Sequence, residues 1–210
     1  SVWSKNAPHA DPDLLKDAYW DLEMDYLEIL RREGSYKLLP QADQPVLSFA
    51  AADGDSYLAD GFVCFIHPED FNDEWGISKA GLGFVREAKA AAGLLKEGKP
   101  ALLSPGKLAA RNIILVPAGP VYGLFLDSKQ EEFLYCLKQG LELAKEKGMK
   151  DLVICENWRS ALYAPADFGA QKIVPFVQEE MKKLNLKSVL FEAQKADTKK
   201  ALKTVLEEYR

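Results

Sequence analysis

From Val46 to Leu206, short apolar runs of strand length alternate with longer stripes of helical period, and this alternation restricts the folds open to the chain more than any other feature. The runs fall at 46–50, 62–66, 101–104, 113–116, 152–155 and 188–191. The second, Phe62-Val63-Cys64-Phe65-Ile66, is apolar at every position, as a strand covered on both faces must be. Between the runs, Phe84, Ala88 and Ala91 share one side of a helix expected over 77–92. Leu134, Leu137, Leu141 and Ala144 do the same over 128–147. Ile173, Val177, Met181 and Leu184 mark a third helix, and Leu202, Val205, Leu206 and Tyr209 a fourth. Strands that alternate with amphipathic helices predict a mostly parallel sheet covered on both faces, whose ligands bind at the carboxyl ends of the strands. The loops after Ile66, Val116 and Cys155 are therefore where a site is expected.

Local signals sharpen these limits. Ser128 and Glu131 have capping-box spacing, Gly148 closes the helix that follows, and Asp197 is placed to cap the last one. Gly81 and Gly83 weaken the first turns of the 77–92 helix by about 1 kcal/mol each relative to alanine, and glycines so placed usually permit a close backbone approach. Ahead of the alternating region, Asp11-Pro12 opens a helical segment in which Leu15, Tyr19, Leu22, Tyr26 and Ile29 recur in steps of four and three until Gly34. That stripe either folds back on its own domain or meets a partner protein. Pro40 to Pro45 reads as the hinge, which divides the chain into an N-terminal helical extension, 1–45, and an α/β domain, 46–210.

With 210 residues, 48% of them hydrophobic, the chain can bury one good core. A formal charge of −5 and the lack of a Lys/Arg block give no basic face, which argues against general nucleic-acid binding. Cys64, Cys136 and Cys155 match neither a metal pair nor a disulfide framework; each lies in an apolar run and is expected as a buried thiol. The two histidines, His9 and His67, lie in no zinc-spaced cluster, and no cofactor or metal site is expected. A Gly-x-Ser-x-Gly elbow and a Walker loop are both missing from the sequence. The N-terminal residues lack a signal-peptide pattern and no stretch reaches membrane-span length, so the expectation is a soluble, cytoplasmic or otherwise intracellular protein.

Four segments, in order, resemble the macro domain, the ADP-ribose-binding module. Gly54-Asp55, followed by Ala59-Asp60 and the strand from Phe62, resembles its Gly-Asp-Ile opening. Gly76-Ile77 resembles the end of its Gly-Gly-Gly-Val loop, and Leu115-Val116-Pro117-Ala118-Gly119-Pro120 its His-x-Val-Gly-Pro strand end. Ser160-Ala161-Leu162-Tyr163-Ala164 resembles its Ser-x-Gly-Ile/Val-Tyr-Gly phosphate loop. The resemblance covers about residues 46 to 210 and implies a three-layer α/β/α sandwich with a mixed, mostly parallel central sheet, to which the N-terminal helix is added.

It also implies roles. Asp55 stands where the family's acid accepts a hydrogen bond from the adenine amino group; an aspartate after glycine also shapes turns. Gly76, Ile77, Ser160, Ala161 and Leu162 fall on the two loops that hold the diphosphate, and Tyr163 on the aromatic beside the distal ribose. Asp73 and Glu74 stand where the family has further glycines, and alanines 161 and 164 replace two more. Arg159 can offset that loss as a cation toward phosphate, or it is a solvated loop charge. Positions that carry asparagine and aspartate in hydrolytic members here carry His67 and Ser78. A serine cannot serve as a general base at neutral pH. His67, assisted by Glu69, Asp70 or Asp73, is the candidate catalytic residue, with a hydrogen-bonded structural histidine as the alternative.

Three functions follow from these residues. The first is a divergent module that binds ADP-ribose or a related nucleotide without turning it over. The second is an ADP-ribose-processing hydrolase with an altered catalytic set. The third is a degenerate fold that serves as a protein-interaction or structural unit through its N-terminal helix.

Overall fold

A computed structural model of the chain describes residues 36–51, 54–71, 74–118, 127–159 and 164–208. The N-terminal stripe that ends at Gly34 lies outside them, as do residues 72–73, 119–126, 160–163 and Tyr209.

Among the described residues eight strands form: β1 Lys37–Leu38, β2 Val46–Ala51, β3 Tyr57–Leu58, β4 Gly61–Ile66, β5 Ala101–Leu103, β6 Asn112–Pro117, β7 Asp151–Ile154 and β8 Ser188–Ala193. Six of them make one sheet in the order β2-β8-β7-β4-β6-β5, and β1 pairs with β3 as a separate parallel ladder. All neighbours in the large sheet run parallel except β5, which is antiparallel to β6 at its edge. The six apolar runs of the sequence are thus the six strands of the sheet. Every residue of β4 is buried, because β7 and β6 flank it and both of its faces are covered.

Alternate residues along each strand serve opposite faces. Val63, Phe65, Ile114, Val116, Leu152, Ile154, Val189 and Phe191 pack on one side. Helix α4, Asp127–Glu146, meets them with Phe133, Leu137 and Leu141. Helix α5, Val174–Leu184, adds Val177 and Met181, and helix α6, Ala196–Glu208, adds Leu202 and Leu206. On the other side Phe62, Cys64, Ile66, Ile113, Leu115, Val153 and Leu190 meet Ala80, Phe84, Ala88 and Leu95. Each fully buried Leu, Ile, Val or Phe contributes about 1.5–3 kcal/mol. Together the two layers enclose the sheet as a three-layer sandwich. Leu39 is buried in the second core, so the described chain is already packed well before Val46.

The helix expected over 77–92 is broken. It forms as α1, Glu74–Ala80, and α2, Gly83–Ala90, with α3, Ala92–Lys96, after them. The break is at Gly81, whose φ of 104° leaves helical space at no steric cost to glycine. Helix α4 begins at Asp127, so Ser128 lies within its first turn. Helix α5 ends as left-handed Asn185 (φ 54°), where Leu186 donates its N–H to the Met181 carbonyl at 3.1 Å. It is preceded by a π turn, Gly169–Ile173. A Cβ at Gly169 would come 2.5 Å from Trp158 Cζ2, so glycine there lets the buried indole lie against the helix.

All three cysteines are buried and unbridged. Burial, and secondarily Glu132, pushes the Cys136 thiol above its ordinary pKa, which keeps it protonated and inert. Among the described residues, no helix is long and apolar enough to cross a membrane.

Candidate functional site

Because β2, β4, β6, β7 and β8 are mutually parallel, their carboxyl ends gather on one edge of the sheet. The loops there carry the charged residues singled out in the sequence.

At the β2 end the chain enters a single 3-10 turn, Gly54–Ser56. Gly54 lies against β8: a Cβ on it would stand 2.5 Å from Glu192 Oε2. Glu192 is buried at the carboxyl end of its strand, and its Oε1 accepts from Gln194 Nε2 at 3.1 Å. The next residue, Asp55, pairs with Lys79 from the last turn of α1, Nζ to Oδ1 at 3.2 Å. Both side chains keep contact with solvent, 35% exposed for Asp55 and 25% for Lys79. An acid and a cation, both partly wet, therefore stand together at this corner.

At the β7 end three consecutive residues turn inward. Glu156 is buried, and its carboxylate accepts the backbone N–H groups of Gln194 and Lys195, the latter at 3.0 Å. Asn157 presents its carboxamide edge-on to β4: Nδ2 donates to the Phe65 carbonyl at 2.8 Å and Oδ1 accepts the Phe65 N–H at 3.1 Å. The side chain thus stands in for one peptide of strand β7, continuing the ladder past Ile154. Trp158 enters the core and packs on Phe168, ring centroids 6.0 Å apart.

Arg159 reaches helix α6, where Nη1 donates to Asp197 Oδ1 at 2.8 Å and to Thr198 Oγ1 at 2.9 Å. Its carbonyl accepts the Ala164 N–H at 3.1 Å, which brings together the two ends of the segment expected to hold phosphate. Arg159 is thus tied to the protein itself and is only 15% exposed. The hydrogen bond from Arg159 holds the Asp197 carboxyl below its ordinary value of 3.8. Asp197 also accepts the Thr198 N–H at 2.9 Å, so its carboxylate serves the first turn of α6 and the arginine together.

At the β4 end, His67 closes a tight turn. Asp70 donates its N–H to the His67 carbonyl at 3.0 Å, and the Glu69 N–H donates to His67 Nδ1 at 3.1 Å. With Nδ1 accepting, the neutral imidazole carries its proton on Nε2. In that form His67 offers a donor to the loop region rather than a base.

Gly76 lies buried in α1, and a Cβ there would overlap the Phe84 ring, so packing of α2 on α1 alone demands glycine. Ser78 is exposed on the same helix. The side chains of Glu74 and Ile77, and all of Asp73, Ser160, Ala161, Leu162 and Tyr163, lie outside what the structure describes. Asp55 and Gly76 therefore meet around α1, whereas Arg159 stands with α6 and His67 with its own turn. Among the described residues, no three His, Cys, Asp or Glu side chains gather as a metal would require.

Four polar residues of this edge are not evident from the chain alone: Lys79, Glu156, Asn157 and Glu192. Three had a visible signal. Glu192 follows the apolar run 188–191, and Glu156-Asn157 follow the run 152–155, so each places charge at the sheet end where ligands bind.

A six-stranded mixed sheet between two helical layers, with charged loops at the carboxyl ends of its parallel strands, defines an α/β/α sandwich. Its particular fold is that of the macrodomains. An Oceanobacillus iheyensis macrodomain with MES bound superposes at a TM-score of 0.68 over 81% of this chain and 95% of its own, at 15% identity. The macro domain of ganglioside-induced differentiation-associated protein 2 matches at 0.64, over 82% and 96%, at 18% identity. A Trypanosoma brucei macrodomain in complex with ADP matches at 0.62, over 95% and 92%, at 16% identity. In sequence, no family model and no curated protein matches the chain.

Proposed function

We propose that this chain is a divergent macrodomain-like module that binds ADP-ribose, or a nucleotide like it, at the carboxyl edge of its sheet and does not turn it over. Asp55 receives the base. The backbone around Gly76, Ile77, Ser160, Ala161 and Leu162 receives the phosphates, Tyr163 lies beside the distal ribose, and Arg159 supports the phosphate loop from behind. The observation that carries this reading is the placement of Asp55. Its partly exposed carboxylate stands on the turn after β2, seated by Gly54 on Glu192, where an acceptor can meet an amino group. Two structural neighbours support the ligand class: the Trypanosoma brucei macrodomain was captured with ADP, and a variant of the Oceanobacillus iheyensis one with ADPR. The proposal of no turnover is supported by His67, whose Nδ1 is engaged by the Glu69 amide.

Calorimetric titration with ADP-ribose, with AMP for comparison, tests the reading. Saturable binding that favours ADP-ribose is expected, weakened about tenfold or more in Asp55→Ala, with no product formed on long incubation. No heat and no thermal stabilisation at high ligand concentration would sink it, and turnover lost in His67→Ala would replace it with the hydrolase reading.

A further inference from the structure

We infer that Lys79 is a specificity-determining residue of the base site, and that with Asp55 it opens the site to 6-oxopurines as well as to adenine. The inference rests on the nucleotide-binding reading and adds to it a donor where that reading has only an acceptor.

An ionised carboxylate standing alone can only accept. It welcomes the exocyclic amino group of adenine and repels the carbonyl oxygen that hypoxanthine or guanine carries at the same place. In this protein the carboxylate does not stand alone: Lys79 Nζ lies 3.2 Å from Asp55 Oδ1. A carboxylate has about four lone-pair sites and an ammonium three N–H groups, so one bond between them exhausts neither. The pair offers an acceptor and a donor side by side.

Adenine presents an amino donor next to the N1 acceptor. Hypoxanthine presents the O6 acceptor next to an N1–H donor. A side-by-side acceptor and donor complements either edge: Asp55 accepts and Lys79 donates in both cases, and each meets the opposite position of the base. For hypoxanthine, N1–H donates to Asp55 while O6 accepts from Lys79. Guanine adds its 2-amino group as a second donor toward the carboxylate.

Both partners are positioned. Asp55 is set by Gly54, where a Cβ would run into the buried Glu192, and Lys79 projects from the last turn of α1, whose Gly76 packs against Phe84 of α2. Both also retain solvent contact, as groups that exchange a mutual bond for ligand bonds must. The alternative role for Lys79 is simple charge compensation beside Asp55, and it has a different consequence. Removing a compensating charge changes the affinity of all nucleotides alike, whereas removing a reading donor costs adenine only its N1 bond, which water can replace, but leaves the O6 of a 6-oxopurine against a bare carboxylate, and so changes their ratio.

The test compares ADP-ribose with inosine diphosphate ribose, by calorimetry, on the full chain as wild type, Lys79→Met and Lys79→Arg, with melting temperatures to verify folding. The wild type is expected to bind the two within about threefold of each other. Lys79→Met should weaken the inosine ligand by about tenfold or more and ADP-ribose by less than about threefold, while Lys79→Arg keeps the wild-type ratio within about threefold. Equal losses for both ligands in Lys79→Met, or a wild-type preference for adenine beyond about thirtyfold, would overturn the inference and leave ADP-ribose binding in place. Failure of the wild type to bind either ligand would instead remove the nucleotide reading on which it rests.

Discussion

On the β7–β8 side of the sheet's carboxyl edge, Glu156, Asn157 and Arg159 all bond to the protein's own backbone or helix termini, and all three are largely withdrawn from water. On the β2–α1 side, Asp55 and Lys79 bond side chain to side chain, and both remain partly wet. The same residue types thus act differently on two sides of one edge. A buried carboxylate that satisfies two amides is a fastening, and its removal leaves those amides unpaired. A half-exposed ion pair contributes about 0–1 kcal/mol and can be exchanged for a ligand at little structural cost. The loop after strand β7 is held in place by the first kind of contact, and the proposed reading of the base rests on the second.

Glu156→Ala should break this contrast most severely. It deletes the acceptor for the Gln194 and Lys195 amides at a position buried to 5% exposure, and a loss of about 2–4 kcal/mol is expected. For a domain of this size that lowers the melting temperature by roughly 4–16 °C, readable by circular dichroism. Asp55→Ala, by comparison, should leave the melting temperature nearly unchanged. If the two variants melt alike, the division of the edge into fastened and exchangeable sides is wrong.

Asn157→Asp is a finer probe of the fastened side. The new side chain can still accept the Phe65 N–H, but it places a carboxylate oxygen against the Phe65 carbonyl where Nδ2 now donates. A cost of about 1–3 kcal/mol is expected in urea unfolding at neutral pH, and it should shrink as acid protonates the new carboxyl and restores a donor. A loss that does not change with pH would mean that Asn157 matters for its shape rather than for its two bonds.

The sheet was legible because strand burial writes itself into composition: 62–66 can be apolar throughout only where both faces are covered, and β4 lies in the middle of the sheet. The break at Gly81 was less legible, since a lone glycine in an apolar-periodic stretch weakens a helix without declaring that its φ is positive. Gly76 is more instructive. Its identity suits a phosphate loop and is equally required by the Phe84 ring, so the residue type alone cannot separate the two demands. Lys79 left no mark in the sequence, because Asp55 lies 24 residues before it and only the fold joins them. The sequence offers Arg159 either as a cation for the expected phosphate loop or as a solvated loop charge, but its partners, Asp197 and Thr198, come from the last helix. Contacts across such distances depend on register and helix placement, which periodicity does not encode.

The smallest effect, and the one that tests how the fastened side divides its work, is the acid response of Asp197. Its carboxyl is held below the ordinary 3.8, first by the hydrogen bond from Arg159, which burial opposes and the Thr198 N–H assists. A depressed carboxyl favours the fold when ionised. Its contribution is therefore complete above the unfolded value and is lost as pH falls through the lower, folded one. The difference in stability between wild type and Asp197→Asn should accordingly be flat above about pH 5 and vanish progressively below the ordinary value. Because Asp197 is 61% exposed and salt screens such pairs, the flat difference should also shrink in 1 M salt, where the Debye length is about 3 Å. Glu156, buried and bonded to amides, should show no comparable sensitivity to salt. Matching salt responses in Asp197→Asn and Glu156→Ala would mean that the loop after β7 is held by one charged network instead of by a buried fastening with an exposed pair beside it.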